Sequence, residues 1–257
     1  METGLVVGFA LAGSVGAICL AAAFLVVPAR VRTPALPALV AFAAGSLIAA
    51  AFLSLLPEAA AHAPLGAVLT TTMVGIFAFF LLEKLLLWRH YHDLVTHRHH
   101  TDEPGHGHVG GTVGPLLLVG DAVHNFGDGI VIAVTFGVSV ELGVAVSLAI
   151  IVHEVAQEVG DFAILLDAGY RPAKAFVWNT ISGLSTLLGA GLAMALAEEA
   201  GSWAPYVMAL ATSTFLYIGM ADLMPTLHRH VGTGATAVQM LWMVLGVSTI
   251  WLVRSLG

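Results

Sequence analysis

Apolar residues run along this chain in stretches of about 20, with polar residues and prolines gathered between them. A helix needs roughly 20 apolar residues to cross a bilayer, so each stretch predicts a membrane span. Eight follow, at about Leu5–Val27, Leu36–Leu56, Leu65–Trp88, Val113–Val138, Leu142–Leu166, Ala173–Ala197, Trp203–Leu227 and Ala235–Val253. Pro28 and Pro34, Pro57 and Pro64, Arg171-Pro172 and Glu198-Glu199-Ala200-Gly201 mark the breaks. Only the residues around Ser139-Val140-Glu141 join spans 4 and 5, which are therefore expected to be antiparallel neighbours. The first run has no Lys or Arg ahead of it and Arg30 and Arg32 behind it, the reverse of a secretory signal, and is expected to be a span.

Composition agrees with this pattern. Of 257 residues 58% are hydrophobic and 10% charged, against roughly 25% charged in soluble domains. The fold class is an all-α polytopic membrane protein, a single transmembrane domain over 1–257 with the lipid bilayer as its surroundings. A net charge of −7 with no basic face gives no reason to expect a nucleic-acid partner. Cys19 is the one cysteine, which removes intrachain disulfides and Cys-rich zinc sites. The basic residues orient the chain: with the N-terminus outside, Arg30, Arg32, Lys84, Arg89, Arg98, Arg171, Lys174 and Arg229 fall inside and only Arg254 outside. Both termini are then outside. Trp88 and Trp203 stand at span edges, as an aromatic belt would have them.

Two echoes suggest internal repeats. Phe52-Leu53-Ser54-Leu55-Leu56-Pro57 in span 2 resembles Met220-Ala221-Asp222-Leu223-Met224-Pro225 in span 7, and the polar clusters of spans 4 and 5 resemble each other. Both pairs run in opposite directions, as inverted repeats require. The long connection between spans 3 and 4, residues 89–112, is expected to be a flexible cytoplasmic loop. Its His90, His92, His97, His99, His100, His106 and His108 suit loose metal capture.

The chemistry is concentrated in spans 4 and 5, where ionisable groups at membrane depth are costly and point to function. On a helix, positions i and i+4 lie about 40° apart and i+1 about 100° away. His124, Asn125 and Asp128 thus share one face of span 4, with Asp121 a turn earlier. His153, Glu154 and Gln157 share a face of span 5, extended by Glu158 and Asp161. Facing each other, these offer imidazole, carboxylate and amide oxygen, a set suited to zinc, iron(II), manganese or cobalt. Gly127, Gly129 and Gly160 are expected to let helix backbones approach closely or to let local helix irregularities form.

These motifs resemble the ZIP metal transporters, most closely their histidine-rich subfamily, over nearly the whole chain. The likeness includes Leu55-Leu56-Pro57-Glu58, Phe79-Phe80-Leu81-Leu82-Glu83-Lys84, His124-Asn125-Phe126-Gly127-Asp128-Gly129, the span 5 run to Gly160-Asp161 and Phe215-Leu216-Tyr217 with Asp222 and Pro225. The resemblance implies spans 4 and 5 sandwiched between inverted units of spans 1–3 and 6–8. It implies a binuclear path: His124, Asp128, His153 and Gln157 at one metal position, and Asn125, Asp128, Glu154 and Gln157 at the other. Departures are Ala156, where the family commonly has proline; Gln157, where the subfamily has histidine; and Ala50 and Ser54, where it has Asp and His. The missing proline leaves span 5 straighter. Span 6 offers only Asn179, Ser182 and Ser185 towards the second position.

The expected function is import of a divalent cation by alternating access, zinc first, with iron, manganese, cadmium or cobalt as other cargoes. Glu58 and Glu141 would attract cations at the entrance, and Asp121, Glu158 and Asp161 would assist along the path. A bacterial plasma (inner) membrane is the expected location, and a homodimer is compatible with the family. The rival is an intramembrane zinc hydrolase, since His153-Glu154-Val155-Ala156-Gln157 is a His-Glu-x-x-His motif with its second histidine replaced.

Overall fold

The computed structural model describes residues 2–98, 110–196, 200–229 and 232–256. Among these residues there is no strand, and eight helices are long and apolar enough to cross a membrane. They are α1 (Thr3–Val26), α2 (Ala29–His62), α3 (Leu65–Leu82), α4 (Gly114–Val138), α5 (Val140–Asp167), α6 (Pro172–Ala195), α7 (Ser202–His228) and α8 (Thr233–Ser255). Helices satisfy their own backbone N–H and C=O groups, which hydrocarbon cannot do for them. Between α4 and α5 the chain reverses at Ser139, whose extended backbone and Oγ, accepting from the Leu142 N–H at 3.1 Å, cap α5.

Two boundaries differ from the sequence pattern. Helix α2 begins at Ala29 rather than Leu36 and contains Pro34 and Pro37. Each proline removes one N–H, and the carbonyls thus freed, Arg30 and Thr33, lie at the helix's polar end where water can reach them. The helix of α3 continues to Arg98, taking in His90, His92 and His97, and that of α4 starts at Gly110. His99, His100, His106 and His108 lie outside the described residues.

Helix α5 is continuous from Val140 to Asp167, as Ala156 in place of proline predicts. Helices α1, α2 and α7 are instead interrupted by π-helical stretches at Ala12–Gly16, Ala50–Leu55 and Ile218–Leu223. The last two immediately precede Leu56-Pro57 and Met224-Pro225. A proline cannot donate to the carbonyl four residues back, and a wider turn just upstream absorbs the mismatch. The echo between spans 2 and 7 is thus also an echo of backbone geometry.

Small residues set the packing. A Cβ on Gly129 would strike the Thr186 carbonyl, and one on Gly189 the Phe126 carbonyl, so α4 and α6 touch backbone to backbone. Gly45 and Gly246 do the same between α2 and α8, against the Met243 and Phe42 carbonyls. Gly127 and Gly160 meet nothing within 4 Å, so of the three span 4 and span 5 glycines only Gly129 serves close approach. The main contacts group α1, α4, α5 and α6 into one layer and α2, α3, α7 and α8 into another. Helices α4 and α5 lie at the boundary, against α7 and against α2 and α8. Each expected three-helix unit is therefore divided between the layers.

Candidate metal centre

Spans 4 and 5 carry their polar residues to one buried point near mid-helix. His124 and Asp128, one turn apart on α4, face His153 and Glu154 on α5. The His124 Nε2 lies 3.2 Å from His153 Nε2, 3.1 Å from Glu154 Oε1 and 3.6 Å from Asp128 Oδ2. His153 Nε2 lies 3.3 Å from Glu154 Oε1 and 3.4 Å from Asp128 Oδ2. A tetrahedron of ligands about 2.0–2.1 Å from zinc has edges of about 3.3–3.4 Å. Five of the six edges among the four atoms are thus close to those of such a shell, and the sixth, between Asp128 and Glu154, lies within 4.8 Å.

The surroundings orient these ligands. His153 Nδ1 is 3.1 Å from the Ala149 carbonyl, so the neutral ring donates there and turns its Nε2 lone pair towards the cluster. Phe215 of α7, fully buried, packs its ring 6.0 Å from that of His153 and closes this side with an apolar surface. Asp128 Oδ2 and Glu154 Oε1 are buried acceptors with no hydrogen-bond donor. Two carboxylate oxygens and two imidazole nitrogens in one largely buried cluster leave an excess of lone pairs, which a cation would satisfy.

Asn125 and Gln157 hydrogen-bond to Asp121 beside this shell. Their amides donate to Asp121 Oδ1, at 2.8 and 3.3 Å. Asn125 Oδ1 accepts from Thr186 Oγ1 at 3.0 Å, and Ser182 Oγ donates to Asp121 Oδ2 at 2.5 Å. Asp121 therefore ties α4, α5 and α6 together. Beside it Glu158 accepts from Asn179 Nδ2 at 2.8 Å, and Ser185 Oγ donates to the Ala122 carbonyl at 2.6 Å. Thr186 is the partner that sequence reasoning passed over. The spacing of Asn179, Ser182 and Thr186, at i, i+3 and i+7, marks one face of a helix and was the signal available.

Two cavities flank the cluster along the boundary between the layers. One, of about 640 Å³, reaches His153 and Gln157 and runs past Asp161 and Asp222 to Arg32, Thr33 and Thr226. The other, of about 400 Å³, reaches His124 and Asp128 and is otherwise mostly apolar, between α3, α4 and α7. Glu58 stands apart from the cluster. Its Oε2 is 3.4 Å from Arg254 Nη2 and its Oε1 3.6 Å from His62 Nδ1. Glu141 lies in the first turn of α5, near the Ser139 cap.

A sequence profile described as ZIP zinc transporter matches residues 88–254, most of the chain. Human zinc transporter ZIP4 is 40% identical over 114 residues, covering 44% of this chain and 17% of that protein. Human zinc transporter ZIP10 is 30% identical over 150 residues, 55% of this chain and 18% of that protein. Zinc transporter ZIP13 of Pongo abelii is 32% identical over 227 residues, 81% of this chain and 64% of that protein. The chain thus spans less than two thirds of the length of each of these relatives.

Proposed function

The chain belongs to the ZIP zinc transporter family, and from that premise we propose that it carries divalent cations, zinc foremost, across a membrane into the cytoplasm. The observation that carries this reading is the convergence of His124, Asp128, His153 and Glu154 at the α4–α5 interface, where each imidazole Nε2 lies 3.1–3.6 Å from the other ligand atoms. Imidazole and carboxylate hold zinc through bonds that exchange, as cargo requires. The reading takes these four as the main ligands, with Asn125 and Gln157 holding Asp121 beside them.

The two cavities support a reading of alternating access. The larger one lies at the end of the bundle where α1, α5 and α7 finish and α2 begins, the end with Arg30, Arg32, Arg171 and Arg229. The excess of positive charge favours that end as the cytoplasmic one. The cavity therefore reads as the route by which an ion leaves His153 for the cytoplasm, past Asp161. Sliding of the α1/α4/α5/α6 layer against the other would turn the cluster towards the opposite end, where Glu58 and Arg254 lie. A bacterial inner membrane as the location, and a homodimer, are further expectations of this reading.

A hydrolase reading is disfavoured by the same geometry. A catalytic zinc needs an open position and a glutamate free to act as base. Here Glu154 Oε1 lies against both imidazoles instead, within 3.1–3.3 Å.

Zinc uptake into proteoliposomes tests the proposal. His124→Ala and Asp128→Ala are each expected to abolish flux. Undiminished uptake by either variant would sink the assignment of the cluster.

A further inference from the structure

Where α7 finishes and α8 begins, three of the chain's eight methionines line one cavity. Met224 and His228 stand four positions apart in the last stretch of α7, and Met240 and Met243 three apart on α8. Both spacings put a pair on one helix face. The two faces border a single cavity of about 380 Å³. Gln239 Nε2 donates to the Leu227 carbonyl at 3.1 Å, which fastens α8 to the end of α7 and holds the pairs around the same space. Gly232, at a φ of 143°, caps α8 beside this cavity. The two cavities that reach the histidine cluster are lined by no methionine.

The chemistry of the lining is selective. Met243 is half-buried and packs against the cluster of Val40, Ala41 and Leu227, while Met240 and His228 are exposed at the rim. Filling an apolar gap needs only volume, which leucine supplies as well as methionine. An imidazole beside three thioethers is a donor that packing does not call for. None of the lining residues is acidic. A divalent ion would enter without a counter-charge, at the cost that buried charge incurs. A singly charged soft cation incurs less of it, and thioether sulfur and imidazole nitrogen are ligands that suit such an ion.

We propose that Met224, Met240, Met243 and His228 form a binding site for copper(I). Its ligands are neutral sulfur and nitrogen, against the nitrogen and carboxylate oxygen of the histidine cluster, so the two sites sort metals by softness. An ion held by both pairs clips α7 to α8. Both helices belong to the same layer, so an occupied site leaves the layers free to slide and the path past His153 open. The inference stands whichever ion the histidine cluster carries.

The full chain with Cys19→Ser, which removes the one thiol, is placed in lipid nanodiscs and titrated anaerobically with copper(I) in competition with bicinchoninate. The first equivalent is expected to show sulfur scatterers by X-ray absorption. Met240→Leu combined with Met243→Leu keeps the apolar volume and is expected to weaken binding by roughly tenfold or more and to reduce the sulfur signal. His228→Ala, at an exposed position, is expected to weaken binding and keep the sulfur signal. Zinc uptake by each variant is expected to match that of the parent. A first equivalent bound through nitrogen and oxygen alone would put copper(I) elsewhere and overturn the site, as would a double methionine variant that binds as tightly as the parent. Loss of zinc uptake together with copper(I) binding in both variants would refute the separation of the two sites. A parent that binds copper(I) through sulfur yet carries no zinc would fail the transport reading and uphold this one.

Discussion

Gln157 shares a helix face with His153, yet its amide points to Asp121 and not to the imidazoles. The i, i+4 pairing in α5 made Gln157 the natural partner of His153. Glu154, only one position away, has the reach to bring its carboxylate between both rings. A histidine at 157 would replace an amide bound to Asp121 with a nitrogen donor at the edge of the cluster. Gln157→His is therefore expected to raise zinc affinity relative to manganese by about tenfold, roughly 1.4 kcal/mol. Competition titrations of the purified protein measure this, and an unchanged ratio would show that residue 157 does not set preference. His124, Asp128, His153 and Glu154 were all legible in sequence, because helical spacing fixes which residues share a face. That Asn125 and Gln157 turn to Asp121 instead was not, because side-chain reach and helix rotation decide it.

Helix rotation is fixed by contacts that carry no chemistry of their own. Gly129 follows directly after the candidate ligand Asp128 and lies against the Thr186 carbonyl, while Gly189 lies against that of Phe126. This double contact sets how α4 faces α6, and so places Asn125 opposite Thr186 and Asp121 opposite Ser182. Gly129→Ala is expected to destabilise the protein by about 1–3 kcal/mol, since the obstructing atom is backbone and cannot swing aside. Gly127→Ala, with open space at its Cβ, is expected to be neutral. Thermal unfolding followed by size-exclusion chromatography distinguishes them, and equal losses would refute the interface. Sequence showed all the span-4 glycines alike, because a lone glycine does not reveal which neighbour approaches it. The eight spans themselves were legible from apolar length alone. The π-helical stretches were not, although the matching prolines at 57 and 225 marked where they end.

At the scale of the molecule, the proposed function makes the two layers and the cavities between them one pathway with a direction. The cavity reaching His153 is lined near its mouth by Ala163 and Thr226, both exposed. Ala61, also exposed, lies at the opposite end, one turn from Glu58. With Cys19 changed to Ser as a blank background, single cysteines at these positions report which side each end faces. A membrane-impermeant maleimide is expected to modify Ala163→Cys and Thr226→Cys only in inside-out vesicles, and Ala61→Cys only in right-side-out vesicles. The expectation joins two independent arguments, the placement of eight of the nine basic residues and the position of the open cavity. A reversed pattern would overturn the orientation, and with it the direction of transport, while leaving the metal cluster untouched. Labelling of Ala163→Cys from both sides would show instead that the bundle is open at both ends, which a carrier working by alternating access does not allow.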